Sequence, residues 1–399
     1  MPATRGVNVI VTHKEYGKML SLTHPNLSSS VRPHGALLGA TMKIGLFTEF
    51  SYPGKSERQA YAEVLAQISL ADELGYDFFS TTESFGKDEV SCSPFPLGLY
   101  IAAAQRARRI RFLTGIITVP IHHPVILASE IAAADLLTEG RIMIGLGRGH
   151  PWVLNRVGVT TEESQPRFQE GIRMLMEIFK SAYIEKSSGA FWRFNDFKLS
   201  PAPLQEPHPP LYVAAATTPD SAIFAGKIGQ GLVQPGYLGI PLELVRELTS
   251  LYRQNLPAGG SSDVVLGIHL HVARDREEAI RNGALALASQ AEVFLRSSSH
   301  RQRLSGETQA YASKSVSRRA FEKLSDPEKA RRAVAEEAPN IMAVWGTPED
   351  CIERISYYAD RIRPEQLMLN IASGSLAQEK VLKSMRLCAE DLMPALRGL

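Results

Sequence analysis

Arg148 stands among glycines in the run Gly145-Leu146-Gly147-Arg148-Gly149-His150. Glycine lets a backbone approach a flat or anionic ligand, and a guanidinium offers a forked pair of donors suited to phosphate. A glycine-rich turn carrying a surface arginine would look the same. A dinucleotide fingerprint needs glycine at position 150 with a helix directly after it, and His150-Pro151 breaks that pattern, so a Rossmann loop is rejected. Ala216, Thr217 and Thr218 precede a short helical run. Their hydroxyl and N–H groups suit the same phosphate, although a threonine there also makes an ordinary helix cap.

Other groups at strand ends are Glu83, in Thr82-Glu83-Ser84-Phe85, and the histidines His122, His123 and His150. His122 and His123 are adjacent, so their side chains point to opposite faces of a strand and do not chelate one metal easily. No metal site is expected. His269 and His271 share one face of a strand, either the lumen or the helix layer of a barrel, where a buried structural histidine is the ordinary outcome. Trp152 and Trp345 are equally suited to walling a pocket and to core packing.

The elements that must position these groups alternate from Met42 onward. Strand-like segments read at 43–47, 77–81, 111–117, 141–146, 210–214, 231–233, 264–272 and 366–371. Helical spacing reads at 60–74, 97–107, 125–137, 167–182, 221–227, 242–256, 349–361 and 377–396. Eight strands, each followed by a helix, predict an α/β fold of the closed (β/α)8 TIM-barrel type, with a doubly wound open sheet as the alternative. In such a barrel the reacting groups lie at the C-terminal ends of the strands, where Glu83, Gly115, Ile116, Gly147, Arg148 and Thr217 all fall. Residues 183–209 form an excursion rich in proline and aromatics. Residues 274–346 are too long for one connection and read as a helical insert over the barrel, either a lid or a passive elaboration.

Composition narrows the partners. With 44 basic and 42 acidic side chains, the net charge of +2 gives no reason to expect nucleic acid or an anionic membrane. No run of about 18 apolar residues marks a membrane span. Three widely spaced cysteines, Cys92, Cys351 and Cys388, fit neither a disulfide framework nor a zinc set, and a reducing, cytoplasmic setting is expected. Residues 1–41 read as a disordered extension ahead of a domain at 42–399, with Met42 a possible alternative start.

Several segments, in order, carry a family resemblance. They are Leu113-Thr114-Gly115-Ile116 with Val119-Pro120-Ile121-His122-His123-Pro124; Leu136 to Gly149; Arg167-Phe168-Gln169-Glu170; Gln205-Glu206-Pro207-His208-Pro209-Pro210-Leu211-Tyr212-Val213-Ala214; Gly346-Thr347-Pro348-Glu349-Asp350; and Leu367-Met368-Leu369-Asn370. From Met42 to the C-terminus the chain resembles the bacterial-luciferase-like flavin monooxygenases. The resemblance implies a cytoplasmic homodimer that oxygenates a small organic substrate with dioxygen and reduced FMN, the latter supplied by a separate flavin reductase. By position, Glu83 would lie beside the flavin ring, Gly115 and Ile116 would floor it, and Gly147, Arg148, Ala216, Thr217 and Thr218 would hold the phosphate. Where the family often has a histidine after the glutamate, this chain has Ser84, so His123 or His150 is the expected substitute. Relatives of the same fold use a deazaflavin for hydride transfer, and a flavin-binding protein without catalysis is a further alternative. Val293, Phe294 and Leu295 in the insert suggest a hydrophobic substrate.

Overall fold

The computed structural model describes residues 41–399 except 52, 86–90, 182, 237–238, 306–320, 337–340 and 373. Nearly all of the expected N-terminal extension, and the indole of Trp152, lie outside the described residues. Residues Thr41–Leu399 form one compact unit.

Twelve strands are described: β1 Lys43–Thr48, β2 Phe78–Thr81, β3 Arg111–Thr114, β4 Ile117–Thr118, β5 Ile142–Gly147, β6 Ile184–Ser188, β7 Arg193–Phe197, β8 Leu211–Ala214, β9 Gly231–Gln234, β10 Val264–Val272, β11 Ala343–Gly346 and β12 Gln366–Ala372. Eight of them pair in parallel in the order β1-β2-β3-β5-β8-β9-β10-β12, and β12 returns to β1, which closes the barrel. The expected barrel is therefore present and the open sheet is excluded. Side chains alternate between two layers, as the period of a strand demands. Phe47, Phe78, Leu113, Met143, Tyr212, Val233, Val265 and Met368 fill the interior. The alternate residues, such as Ile44, Phe79, Phe112, Ile144, Val213, Leu266 and Leu369, pack against the helices.

The helices are α1 Glu57–Leu74, α2 Pro96–Ala104, α3 Pro124–Leu137, α4 Pro151–Arg156, α5 Thr161–Lys180, α6 Pro219–Lys227, α7 Leu242–Gln254, α8 Arg276–Ser305, α9 Pro327–Glu336, α10 Pro348–Ile362, α11 Gln378–Leu387 and α12 Met393–Leu396. Their ends follow local chemistry. Ser56 accepts from Gln59 N–H to start α1, and left-handed Gly75 ends it. Thr347 and Asp350 form a reciprocal capping box on α10. Asp72, at the end of α1, accepts from the N–H groups of Arg108, Arg109 and Ile110 at 2.9, 2.8 and 2.7 Å and so aims the chain into β3. Burial opposes that charge, but the three backbone donors and Arg109 hold the carboxyl below its ordinary range.

The structure adds detail in three segments. The excursion at 183–209 contains an antiparallel hairpin, β6 with β7. The insert is helical over α8 and α9, but its last residues form β11, which pairs with the upper half of β10 while β9 pairs with the lower half. Strand three also differs from a continuous 111–117. Leu113 pairs with Met143 and Ile117 with Leu146, so four steps along one strand face three along its neighbour. This is a bulge. It contains a cis peptide between Gly115 and Ile116. The Thr114 hydroxyl spans the break, accepting from Gly145 N–H and donating to Gly145 C=O, both at 2.9 Å. A Cβ at Gly145 would meet the Thr114 carbonyl oxygen at 2.1 Å, and one at Gly147 would meet Ile116 at 2.6 Å. These glycines therefore serve close strand packing.

Replacing Thr114 with valine keeps the shape and removes both bonds. Leaving two buried groups of Gly145 unpaired is expected to cost about 2–4 kcal/mol, read by urea denaturation. A loss under about 0.5 kcal/mol would show that the hydroxyl does not hold the bulge.

Candidate active site

The bulge delivers Thr118 and the following turn to the C-terminal mouth of the barrel. Tyr100 secures the neighbouring strands: its hydroxyl accepts from Thr81 N–H at 2.8 Å and donates to Leu113 C=O at 2.7 Å. Beyond β2 the Glu83 carboxylate, 3% exposed, turns back toward this loop. Its Oε2 accepts from Thr118 N–H at 2.7 Å and its Oε1 lies 2.9 Å from His122 Nε2. Burial disfavours the charged imidazole, but the hydrogen bond and charge of Glu83, with the further charge of Glu130 on α3, outweigh it and raise His122 above its ordinary value. Glu130 is itself raised by burial. The result is a carboxylate–imidazole pair at the mouth, with Glu83 buried and His122 partly exposed, whose imidazole keeps its proton to higher pH than a free one.

The neighbouring histidines His123 and His150 stand at the starts of two helices. His123 is the N-cap of α3, its Nδ1 accepting from Val125 N–H at 3.3 Å, with its ring edge-on to Phe194 of β7. His150 is the residue before α4, with its ring edge-on to Phe294 of α8 at 5.8 Å. Glu83 is bonded instead to His122, which the sequence reading set aside as a metal ligand. Ser84 is buried, and its N–H donates to Ser93 C=O at 2.9 Å.

Across the mouth, β5 and β8 bring the phosphate candidates together. Arg148 follows β5, and its Nη2 donates to Thr218 Oγ1 at 2.7 Å, across 70 residues of sequence. Thr218 is the N-cap of α6 without a side-chain capping bond; Pro219 brings no N–H and Ser221 N–H donates to Thr218 C=O at 3.2 Å, which leaves the N–H of Asp220 as the first-turn donor the cap does not use. A guanidinium, a hydroxyl and a helix N-terminus thus face one place, the donor set an oxyanion needs. Gly147 ends β5, and Ala216 and Thr217 lead into α6, so five sequence candidates, with Arg148 and Thr218, lie on these two adjoining strand ends. Gly115 and Ile116 form the bulge beside them, and the Ser80 hydroxyl, which has no hydrogen-bond partner, lies 2.5 Å from where a Gly115 Cβ would stand.

Sequence reasoning missed Glu49, the residue after β1. Its carboxyl accepts from Gln290 Nε2 of α8, and the side chain is half-buried at the C-terminal end of β1. Burial pushes it up to about 7, and the Gln290 bond offsets only part of that. Only the apolar run before it, with an acidic residue at a strand end, could have signalled the position. Among the described residues no cluster of His, Cys, Asp and Glu could hold a metal ion, and no helix is long and apolar enough to cross a membrane.

The raised Glu49 value has a definite consequence. Between its ordinary 4.5 and about 7 the folded protein holds a proton that the unfolded chain releases, so stability falls as pH rises through this window. Thermal unfolding is expected to show this decline in the wild type and a shallower one in Glu49→Gln. Parallel curves for the two proteins would refute the buried acid.

The fold recurs in known proteins. The chain is 30% identical to a monooxygenase, RslO1, from Streptomyces bottropensis, whose crystal structure superposes with a TM-score of 0.73 over 88% of this chain and 99% of that one. It is 31% identical over 204 residues to the oxygenase component of a flavin-dependent trigonelline monooxygenase from Acinetobacter baylyi, a match covering 50% of this chain and 56% of the relative. It is 25% identical to a 5,10-methylenetetrahydromethanopterin reductase from Archaeoglobus fulgidus over 84% of this chain and 96% of that one. The family model for luciferase-like monooxygenases matches residues 42–363, and the chain belongs to that family.

Proposed function

We propose that this oxidoreductase is the oxygenase component of a two-component system, using reduced FMN and dioxygen to oxygenate a small, largely apolar organic substrate. The observation that carries the flavin is the Arg148–Thr218 pair at the N-terminus of α6. It would supply a charge and a hydroxyl, with the N–H of Asp220 at the helix start, to one phosphate. Arg148, Thr217 and Thr218 would bind that group, with Gly147 and Ala216 lining it closely, while Gly115 and Ile116 would support the ring. Bound reduced FMN would supply the electrons that activate dioxygen.

The chain's own residues do the rest. The bulge and its glycines give a firm floor. Helix α8, which reaches Glu49 through Gln290 and His150 through Phe294, shields the mouth from water. Glu83 orients His122 and keeps its imidazole protonated nearer neutrality, so His122 Nδ1 and Nε2 form the proton store nearest the bulge. This role passes to His122 from the His123 and His150 expected in sequence. Reduced flavin would come from a separate reductase, and a homodimer in a reducing cytoplasm fits the three free thiols of Cys92, Cys351 and Cys388.

The matches to monooxygenases at 30% identity or more favour oxygenation. The match to the trigonelline enzyme spans only about half the relative, whereas the match to the archaeal reductase spans nearly all of it. That breadth supports a second reading, hydride transfer with a deazaflavin.

Turnover with reduced FMN plus dioxygen, compared with reduced deazaflavin without oxygen, separates the two. Oxygen-dependent substrate loss with reduced FMN is expected, and turnover only with the deazaflavin would reject the oxygenase. Arg148→Ala is expected to weaken FMN binding at least about tenfold, the loss of one charge-assisted hydrogen-bonding group, measured by quenching of flavin fluorescence. Unchanged affinity would remove the phosphate site from this arginine.

A further inference from the structure

The wall of the barrel opposite the phosphate candidates carries polar groups that the proposed chemistry does not use. In the closed ring β12 stands across from β5, and β1 across from β8. On β12, Asn370 pairs with Phe47 of β1 on one side and with His269 of β10 on the other. Phe47 belongs to the interior cluster, and paired residues of parallel strands share a face, so His269 faces the interior. His271, two residues on, shares that face and is nearer the mouth. Glu49 stands two residues beyond Phe47.

The protonation of His269 can be derived. Trp345 of β11 donates its indole N–H to His269 Nδ1 at 3.1 Å. An indole nitrogen only donates, so Nδ1 carries no proton. Burial, with His271 nearby, pushes the imidazole down to about 3, so the ring is neutral and its one proton is on Nε2. That nitrogen is buried and has no partner. Gly283 of α8 makes the arrangement possible, because a Cβ there would strike the indole at 2.4 Å. His271 is also neutral: burial, then the charges of Lys380 and Lys383 on α11, lower it to about 4, and its buried Nδ1 has no partner. Those lysines are occupied by Asn282 at 2.7 Å and Glu278 at 3.6 Å. Leaving a buried N–H unpaired is costly, and a site built this way selects the ligand that satisfies it.

We propose that His269, with His271 and Glu49 beside it, forms a substrate subsite for a neutral carbonyl oxygen, with Trp345 fixing the His269 tautomer so that Nε2–H is presented to that oxygen. The wall offers uncharged donors, and Glu49 repels an anion whenever it ionises. A carboxylate is therefore a poor occupant, and a hydrocarbon leaves the donor unpaired. The substrate class is an apolar molecule bearing a ketone, ester or amide carbonyl. This rests on the mouth of the barrel being the catalytic site.

The test uses the full chain and three probes with one ring in common: acetophenone, benzoate and ethylbenzene. Affinities are measured by ligand-observed NMR, and the Nε2–H signal of His269 is followed in protein labelled with 15N-histidine. Acetophenone is expected to bind at least about tenfold more tightly than either other probe, to move the Nε2–H signal, and to lose its preference in His269→Phe. Absent or equal binding, a preference for benzoate, an unmoved signal, or a preference that survives in His269→Phe would overturn the proposal. Should that variant fail to fold, Trp345→Phe keeps the imidazole and frees its tautomer; a preference undiminished there overturns the proposal equally. FMN affinity of the same protein is measured in parallel without the probes. FMN binding without carbonyl preference sinks the subsite alone, and carbonyl preference without FMN binding sinks the flavin reading alone.

Discussion

Everything at the mouth of this barrel depends on one short piece of backbone being held out of register. Between Leu113 and Ile117 the chain has one residue more than β5 can pair with. A bulge there would normally leave N–H and C=O groups of the neighbouring strand without partners. Thr114 supplies both missing partners from a single hydroxyl, and Gly145 and Gly147 give the displaced chain room. The cost of the irregularity is thereby met locally. What is gained is a platform, Gly115-Ile116, and a redirected loop that brings Thr118 N–H to Glu83 and His122 to the same carboxylate.

Two walls then divide the work by chemistry. On the β5–β8 side the groups are cationic and donating: Arg148, Thr218 and the end of a helix. On the β10–β12–β1 side burial keeps the imidazoles uncharged and raises the Glu49 acid, so hydrogen bonding takes over from charge. The Glu83–His122 pair sits between these regimes, because a nearby carboxylate offsets what burial would otherwise do to the imidazole. One barrel thus presents three different electrostatic settings within its mouth, each set by which elements crowd the side chain.

Much of this was legible in the chain. Strand Val264–Val272 and the helices around it read directly from periodicity, and the rule that sites lie at strand ends brought Arg148 and Thr218 together across 70 residues. The illegible parts share a cause. The bulge is hard to read because Phe112 to Ile117 is strand-like on both sides of Thr114-Gly115, and only pairing with β5 shows that one residue is surplus. Strand β11 is too short to stand out from a charged, helical stretch, and it exists because β10 outruns β9 and needs a partner. The choice between His122 and His123 turned on Pro124: proline at the first helical position makes the preceding residue a cap, a local rule that assigns His123 to helix α3 and leaves His122 to Glu83. The Glu49–Gln290 contact joins residues 241 apart, and no local pattern encodes it.

The long insert leaves the barrel at the top of β10 and returns as β11, paired to the strand it left, with His269 opposite Ala343 and Val272 opposite Gly346. Its two ends are therefore neighbours before anything is placed between them. Such a segment can be lengthened, shortened or exchanged without disturbing how the barrel closes, since the loop it forms is already shut at its base. The phosphate-facing wall lies in a different part of the chain. A change confined to this one contiguous stretch would therefore leave the strand ends that carry Arg148 and Thr218 where they are.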